Sequence, residues 1–190
     1  MRGIPEVIVS KAVLNSWIVN QPLNGTTGLI EMCRRHSNKS WFHQVAKLLV
    51  TYSNADVDMT DDSNQNAMEV LLSNSDNNGY IFYPLRHMLR ASRDKMEHRG
   101  FYGQTYLFHA NTKEKIDFLA RYGVDINATT LEGHTALDHM EYQCLSGKFK
   151  TVETIDKTDT CGDCLEALKD LGAKHATGGS GNINQQRTYF

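Results

Sequence analysis

The sequence has no large excess of either charge. Its 190 residues carry 20 Lys+Arg against 22 Asp+Glu, a formal net charge of −2. That balance excludes the nonspecific electrostatic affinity that holds proteins to nucleic acid or to an anionic membrane. Long apolar runs are missing too, since none approaches the roughly 20 residues that cross a bilayer. Cysteine is scarce, with 4 residues at uneven spacing. This is too few for a disulfide scaffold and predicts thiols in a reducing compartment. Arg2 precedes an apolar stretch, but Glu6, Lys11 and Asn15 interrupt it and no small-residue cleavage site follows, so no export signal is expected. Phosphate loop, nucleophile elbow, metalloprotease helix and dinucleotide fingerprint are all lacking. No enzyme, no catalytic residue and no cofactor are therefore expected.

Composition itself is ordinary. Hydrophobic residues make up 40% and charged residues 22%, which predicts a globular chain rather than a disordered one. The clearest local pattern is Gly123-Val-Asp-Ile-Asn-Ala-Thr-Thr-Leu-Glu-Gly-His-Thr-Ala-Leu-Asp138. The preceding run, Lys115-Ile-Asp-Phe-Leu-Ala-Arg-Tyr122, has its apolar residues at helical spacing and stops at a glycine suited to a left-handed cap. Gly133 supplies the positive φ of a tight turn. Thr135 then N-caps the next helix, with Asp138 at capping-box spacing.

This pattern resembles the ankyrin repeat, with Ala136 where that family has proline and Asp138 where it has histidine. The same grammar recurs. Gly103-Gln-Thr-Tyr-Leu-Phe-His-Ala110 lies 30 residues upstream of the second glycine, near the roughly 33-residue period of the family. Gly25-Thr-Thr-Gly-Leu-Ile-Glu-Met-Cys33 reads as a first helix. Val45-Ala-Lys-Leu-Leu-Val-Thr-Tyr-Ser-Asn-Ala-Asp-Val-Asp-Met59 reads as its second helix and turn. Cys164-Leu-Glu-Ala-Leu-Lys-Asp-Leu-Gly-Ala-Lys174 reads as a last second helix. A degenerate copy begins at Asn64, where the family has glycine, and keeps capping spacing in Asn66 and Glu69. Its second helix is expected over 83–96, with Pro84 tolerated in the first turn.

The resemblance implies an all-α solenoid of stacked helix-turn-helix units joined by short hairpin turns. Four units are expected, at about 20–60, 61–99, 100–129 and 130–175. A capping segment precedes them at 1–19, and a glycine-containing tail follows at 176–190. From first-helix leucine to turn glycine, a standard repeat has about 19 residues. Leu29 to Asn54 is 25, Leu107 to Gly123 is 16, and Leu137 to Gly172 is 35. Length changes are thus expected between the two helices of a repeat, in a surface loop.

By position, the resemblance implies a binding surface on hairpin tips and the concave first-helix face. In the first unit this surface comprises Leu23, Asn24, Thr26, Arg34 and Arg35. The second adds Asp61, Asp62, Ser63 and Gln65. The third supplies Phe101, Tyr102 and Gln104, and the fourth Leu131, Glu132, His134 and Tyr142. Phe101, Tyr102 and Tyr142 are the expected anchors, because aromatics dominate interface energetics. The function implied is binding of a specific protein partner by a cytoplasmic monomer, as a bacterial or viral effector or an antitoxin-like inhibitor. No nucleic acid and no membrane are involved.

Three further features bear on chemistry. Residues 48–85 contain no Lys or Arg but hold Asp56, Asp58, Asp61 and Asp62 in one expected hairpin. Arg86, Arg90 and Arg93 follow at helical spacing. The two tracts read either as compensating solvated faces or as an acidic fingertip for a basic partner. His109 reads as a packed core histidine rather than a base. Cys161-Gly-Asp-Cys164, with Cys144 and His139 upstream, suggests an alternative metal-binding or redox function. Cys164 alone reads as a small buried hydrophobe of a second helix. The terminal Thr188-Tyr189-Phe190 resembles a PDZ ligand.

Overall fold

A computed structural model describes residues 19–74, 81–149, 152–153, 158–159 and 161–176. Among these lie seven α-helices: α1 Gly28–His36, α2 Phe42–Tyr52, α3 Ala67–Ser73, α4 Phe82–Ala91, α5 Lys113–Arg121, α6 Ala136–Leu145 and α7 Cys161–Asp170. Short 3-10 turns occupy Lys95–Glu97 and Tyr106–His109. Among the described residues, β-strand is limited to a two-residue antiparallel pair, Val152–Glu153 with Thr158–Asp159. The expected cap over 1–19, apart from Val19, and the tail beyond Ala176, including Thr188-Tyr189-Phe190, lie outside the described residues.

Helix starts follow from local chemistry. Thr27 accepts from the Ile30 N–H and Thr135 from the Asp138 N–H, each at 3.3 Å. Asn66 caps α3 and receives the reciprocal bond of a capping box, its N–H donating to Glu69 Oε2 at 2.7 Å. Asp138 completes the same box at α6, accepting from the Thr135 N–H at 2.9 Å. The stops are equally local, with Gly123 at φ 85° after α5 and Gly172 at φ 82° after α7.

Packing arranges these pieces in two rows. The inner row is α1, α3, the Tyr106–His109 turn and α6; the outer row is α2, α4, α5 and α7. Each inner element contacts the outer helix that follows it. Phe82 of α4 meets Phe118 of α5 with ring centroids 5.4 Å apart. One continuous core runs through the stack, including Leu29, Phe42, Leu71, Leu85, Leu107, Ile116, Leu137 and Leu168.

Three sequence expectations need correction. The helix expected over 83–96 ends at Ala91. Ser92 turns to extended backbone at ψ 140°, and its hydroxyl donates to Asp58 at 2.6 Å. Arg93 therefore leaves the row of Arg86 and Arg90, and its Nε donates to Asp58 at 3.1 Å. Secondly, the deficit in the third unit is taken from its first helix, which is reduced to the four-residue turn Tyr106–His109. Thirdly, Cys144 and Cys161 form a disulfide with Cα atoms 5.8 Å apart, in the range usual for such bonds. It closes the insertion between α6 and α7, which number and spacing of cysteines did not foretell.

Candidate functional site

The inner row and its hairpin tips carry two adjoining hollows. The smaller, about 610 Å³, is walled by Leu23, Asn24, Thr26, Arg34, Arg35, Asp61, Asp62, Ser63 and Gln65. The larger, about 770 Å³, lies over the shortened third inner element. Ser63 and Gln65 belong to both. Gln65, Phe101, Tyr102 and Gln104 rim the larger hollow, as the sequence-derived surface implies. Leu131, Glu132 and His134 stand outside it on the fourth tip, and Leu131 is 82% exposed. Tyr142 lies beneath Lys148, whose Nζ is 5.2 Å from the ring centroid.

Sequence reasoning missed the floor of this hollow, where Phe108, His109, Met140, Gln143 and Phe149 come together. The available signal was the 16-residue spacing from Leu107 to Gly123. His109 is less of a core residue than expected. It lines the hollow, with Nε2 3.5 Å from Glu69 Oε1.

Electrostatics divide the acidic tract. Asp61 is buried, its Oδ1 accepting from the Ser63 and Gln65 N–H groups at 2.8 and 3.0 Å, and Arg34 pairs with its other oxygen. Asp61 thus holds its own hairpin rather than facing outward as the position-based list has it. Asp58 receives Ser92 and Arg93, and Asp56 lies 3.6 Å from Arg93. Compensation between the two tracts is seen for Asp56 and Asp58, which meet Arg93, whereas Asp61 is paired with Arg34 from outside both tracts. Asp62 alone is exposed with no side-chain ion pair or hydrogen bond among the described residues. Arg35 pairs with Glu31, which Arg34 also contacts.

At the far wall, burial pushes His139 down from 6.5 to about 4, assisted by the positive fields of His109, His134 and Lys148. A folded-state value below the unfolded one means stability that is complete above pH 6.5 and is lost as pH falls toward 4. The shift corresponds to about 3 kcal/mol at most. His139→Gln is expected to flatten the urea-unfolding free energy between pH 6.5 and 4, and a wild-type profile already flat there would refute this.

The alternative cysteine chemistry fares differently. Two of its three thiols are joined in the Cys144–Cys161 bond. Cys164 is fully buried, as its second-helix position suggested. No three His, Cys, Asp or Glu side chains are placed to hold a metal among the described residues. No described helix is long and apolar enough to cross a membrane.

No protein-family model matches the chain, and no curated protein does. Its structure superposes on solved ones. The ankyrin repeat protein EF0377 aligns with a TM-score of 0.58 at 19% identity, over 89% of this chain and 75% of that one. An ankyrin repeat domain of Acinetobacter baumannii AYE aligns with a TM-score of 0.56 at 21% identity, over 89% of this chain and 93% of that one. The chain has the ankyrin-repeat fold. Within that fold, the two hollows follow the inner helices and hairpin fingers. The Tyr106–His109 turn takes the place of a first helix, and the disulfide closes an insertion between the two helices of the last repeat.

Proposed function

We propose that this ankyrin-repeat chain is a protein-interaction module that binds one partner through its hairpin tips and inner helix face. One observation carries the reading: Phe101 is 65% exposed and Leu131 82% exposed on neighbouring tips, beside a preformed hollow. Large apolar side chains held out by a rigid scaffold are characteristic of recognition surfaces. Phe101, Tyr102 and Tyr142 act as anchors. Arg34, Arg35, Asp62, Gln65, Gln104, Glu132 and His134 supply the polar surround, and Asp61 holds its finger in place. A basic group on the partner suits Asp62. Blocking or tethering a partner, as an effector or inhibitor does, is the role such a surface serves. A cytoplasmic site of action, in the producing or a host cell, fits the scarcity of cysteine, and the Cys144–Cys161 pair weighs against it.

The test is capture of partners by wild type beside a Phe101→Ala/Tyr102→Ala/Tyr142→Ala variant, followed by titration of each differential protein. Truncating three anchors is expected to weaken binding by about 30-fold or more while the circular dichroism melt is retained. If no protein distinguishes the two, the reading is wrong.

A further inference from the structure

The hairpin tips are not evenly stacked, and the irregularity lies at the larger hollow. Backbone bonds bridge the first and second tips, from the Asp62 N–H to the Gly25 carbonyl at 2.9 Å, and the third and fourth, from the Leu131 N–H to the Tyr102 carbonyl at 3.0 Å. Between the second and third tips there is none among the described residues. The cause is local. At each bridged junction a glycine faces the next finger. A Cβ on Gly25 would lie within 2 Å of the Asp62 carboxylate, and one on Gly103 would lie 3.1 Å from the Leu131 nitrogen. The equivalent residue at the open junction is Asn64, at φ 57°. It takes the same left-handed backbone but carries an exposed side chain.

The opening is lined for a peptide. Gln65 and Gln104 occupy equivalent places on the two separated fingers and are half-buried. Neither side-chain amide makes a hydrogen bond among the described residues. Each offers one acceptor and two donors, the complement of a peptide group. Below them, Phe108, Met140 and Phe149 provide an apolar floor. Toward the smaller hollow, which Arg34 and Arg35 also line, the exposed Asp62 carboxylate makes no ion pair among the described residues and can receive a cation.

We propose that the gap between the second and third fingers seats an extended segment of a partner protein. Its backbone is clasped by Gln65 and Gln104, one large apolar side chain enters the floor, and a basic residue meets Asp62. This rests on the binding-module reading and specifies the mode: strand-like recognition, in which backbone bonds give affinity and alternate pockets give specificity.

The experiment pans a phage-displayed library of linear peptides of about ten residues, enough to span roughly 33 Å when extended, on the full chain. Enrichment of peptides pairing a large apolar residue with Arg or Lys a few positions away is expected. Gln65→Ala/Gln104→Ala should weaken a selected synthetic peptide about tenfold, the loss of two ordinary hydrogen bonds, with the melt unchanged. Asp62→Lys should reverse the preference from basic to acidic peptides, a change no loss of stability produces. Asn64→Gly, which lets the fingers close, should weaken the peptide while leaving the fold intact. No enrichment, or a selected peptide indifferent to the glutamines and to Asp62, overturns the proposal. If a partner still depends on Phe101, Tyr102 and Tyr142 in that case, the binding module survives and only the peptide seat falls; if no such partner exists, both fall.

Discussion

Lys115→Met is expected to destabilise the chain by about 4 kcal/mol, although it removes a charge and keeps most of the side chain's length. Lys115 is fully buried. Its ammonium donates to the Leu72 carbonyl at 2.8 Å, and to the Asn74 carbonyl and Asn111 Oδ1 at 2.6 Å each. Leu72 and Asn74 end α3, where carbonyls lack helical partners and the dipole favours a cation. Hydrogen bonds to a charged group contribute about 1.5–3 kcal/mol each, partly offset by burying the ammonium. Methionine would leave one buried and two half-buried acceptors facing a thioether. Urea unfolding should register the whole loss, with a melting temperature lower by roughly 10 °C. Lys169→Met is the control, because its exposed pair with Glu141 at 3.6 Å is worth at most about 1 kcal/mol. Equal losses for the two lysines would sink the argument.

That lysine also marks where sequence reading stops. The fold was legible because its signals are local. Thr135 with Asp138, Asn66 with Glu69, and Gly123 and Gly133 each set one cap or turn whatever surrounds them, and each takes the expected geometry. Lys115 counts as a polar residue in any periodicity, and only the return of Leu72 and Asn74 against α5 makes it an interior one. Asp61 and Asp62 are neighbours of one charge, yet Arg34 reaches the first from another repeat and leaves the second outside. A short spacing after Leu107 can be taken from a loop or from a helix. The chain takes it from the helix, since Ala110 to Thr112 already form the passage into α5, and a hollow results. Asn64 was readable as a residue that tolerates left-handed backbone. That it stands where the two bridged junctions have a closely approached glycine needs the contacts at Gly25 and Gly103 for comparison. Cys144 and Cys161 are brought together by the packing of α6 against α7, which their spacing does not reveal.

The second large effect belongs to Glu69, which joins fold and site. The residue is 1% exposed. One oxygen closes the capping box on Asn66, and the other faces His98 Nε2 at 3.0 Å and His109 Nε2 at 3.5 Å. Burial pushes this carboxyl up, but the nearby His109 ring, the hydrogen bond from His98 and the Asn66 N–H together outweigh it. They bring the group down from 4.5 to about 2. A folded value below the unfolded one contributes stability that is complete above pH 4.5 and is lost as pH falls from 4.5 through about 2. The shift corresponds to about 3 kcal/mol. Glu69→Gln retains an oxygen for the Asn66 N–H and loses the charge. It should be about 3 kcal/mol less stable near neutral pH and show a shallower acid limb between pH 4.5 and 2, the remainder belonging to Asp58 and Asp138, whose carboxyls are also held below their ordinary values. This window lies below that of His139, so the two groups separate in one pH series. Asn66 Nδ2 also donates to the Tyr106 hydroxyl at 3.2 Å, and His98 stacks on the Tyr106 ring. Glu69 therefore ties the second finger to the third at its base while the tips above stand open. A Glu69→Gln profile parallel to wild type from pH 7 to 2 would mean that the carboxylate is not what holds them.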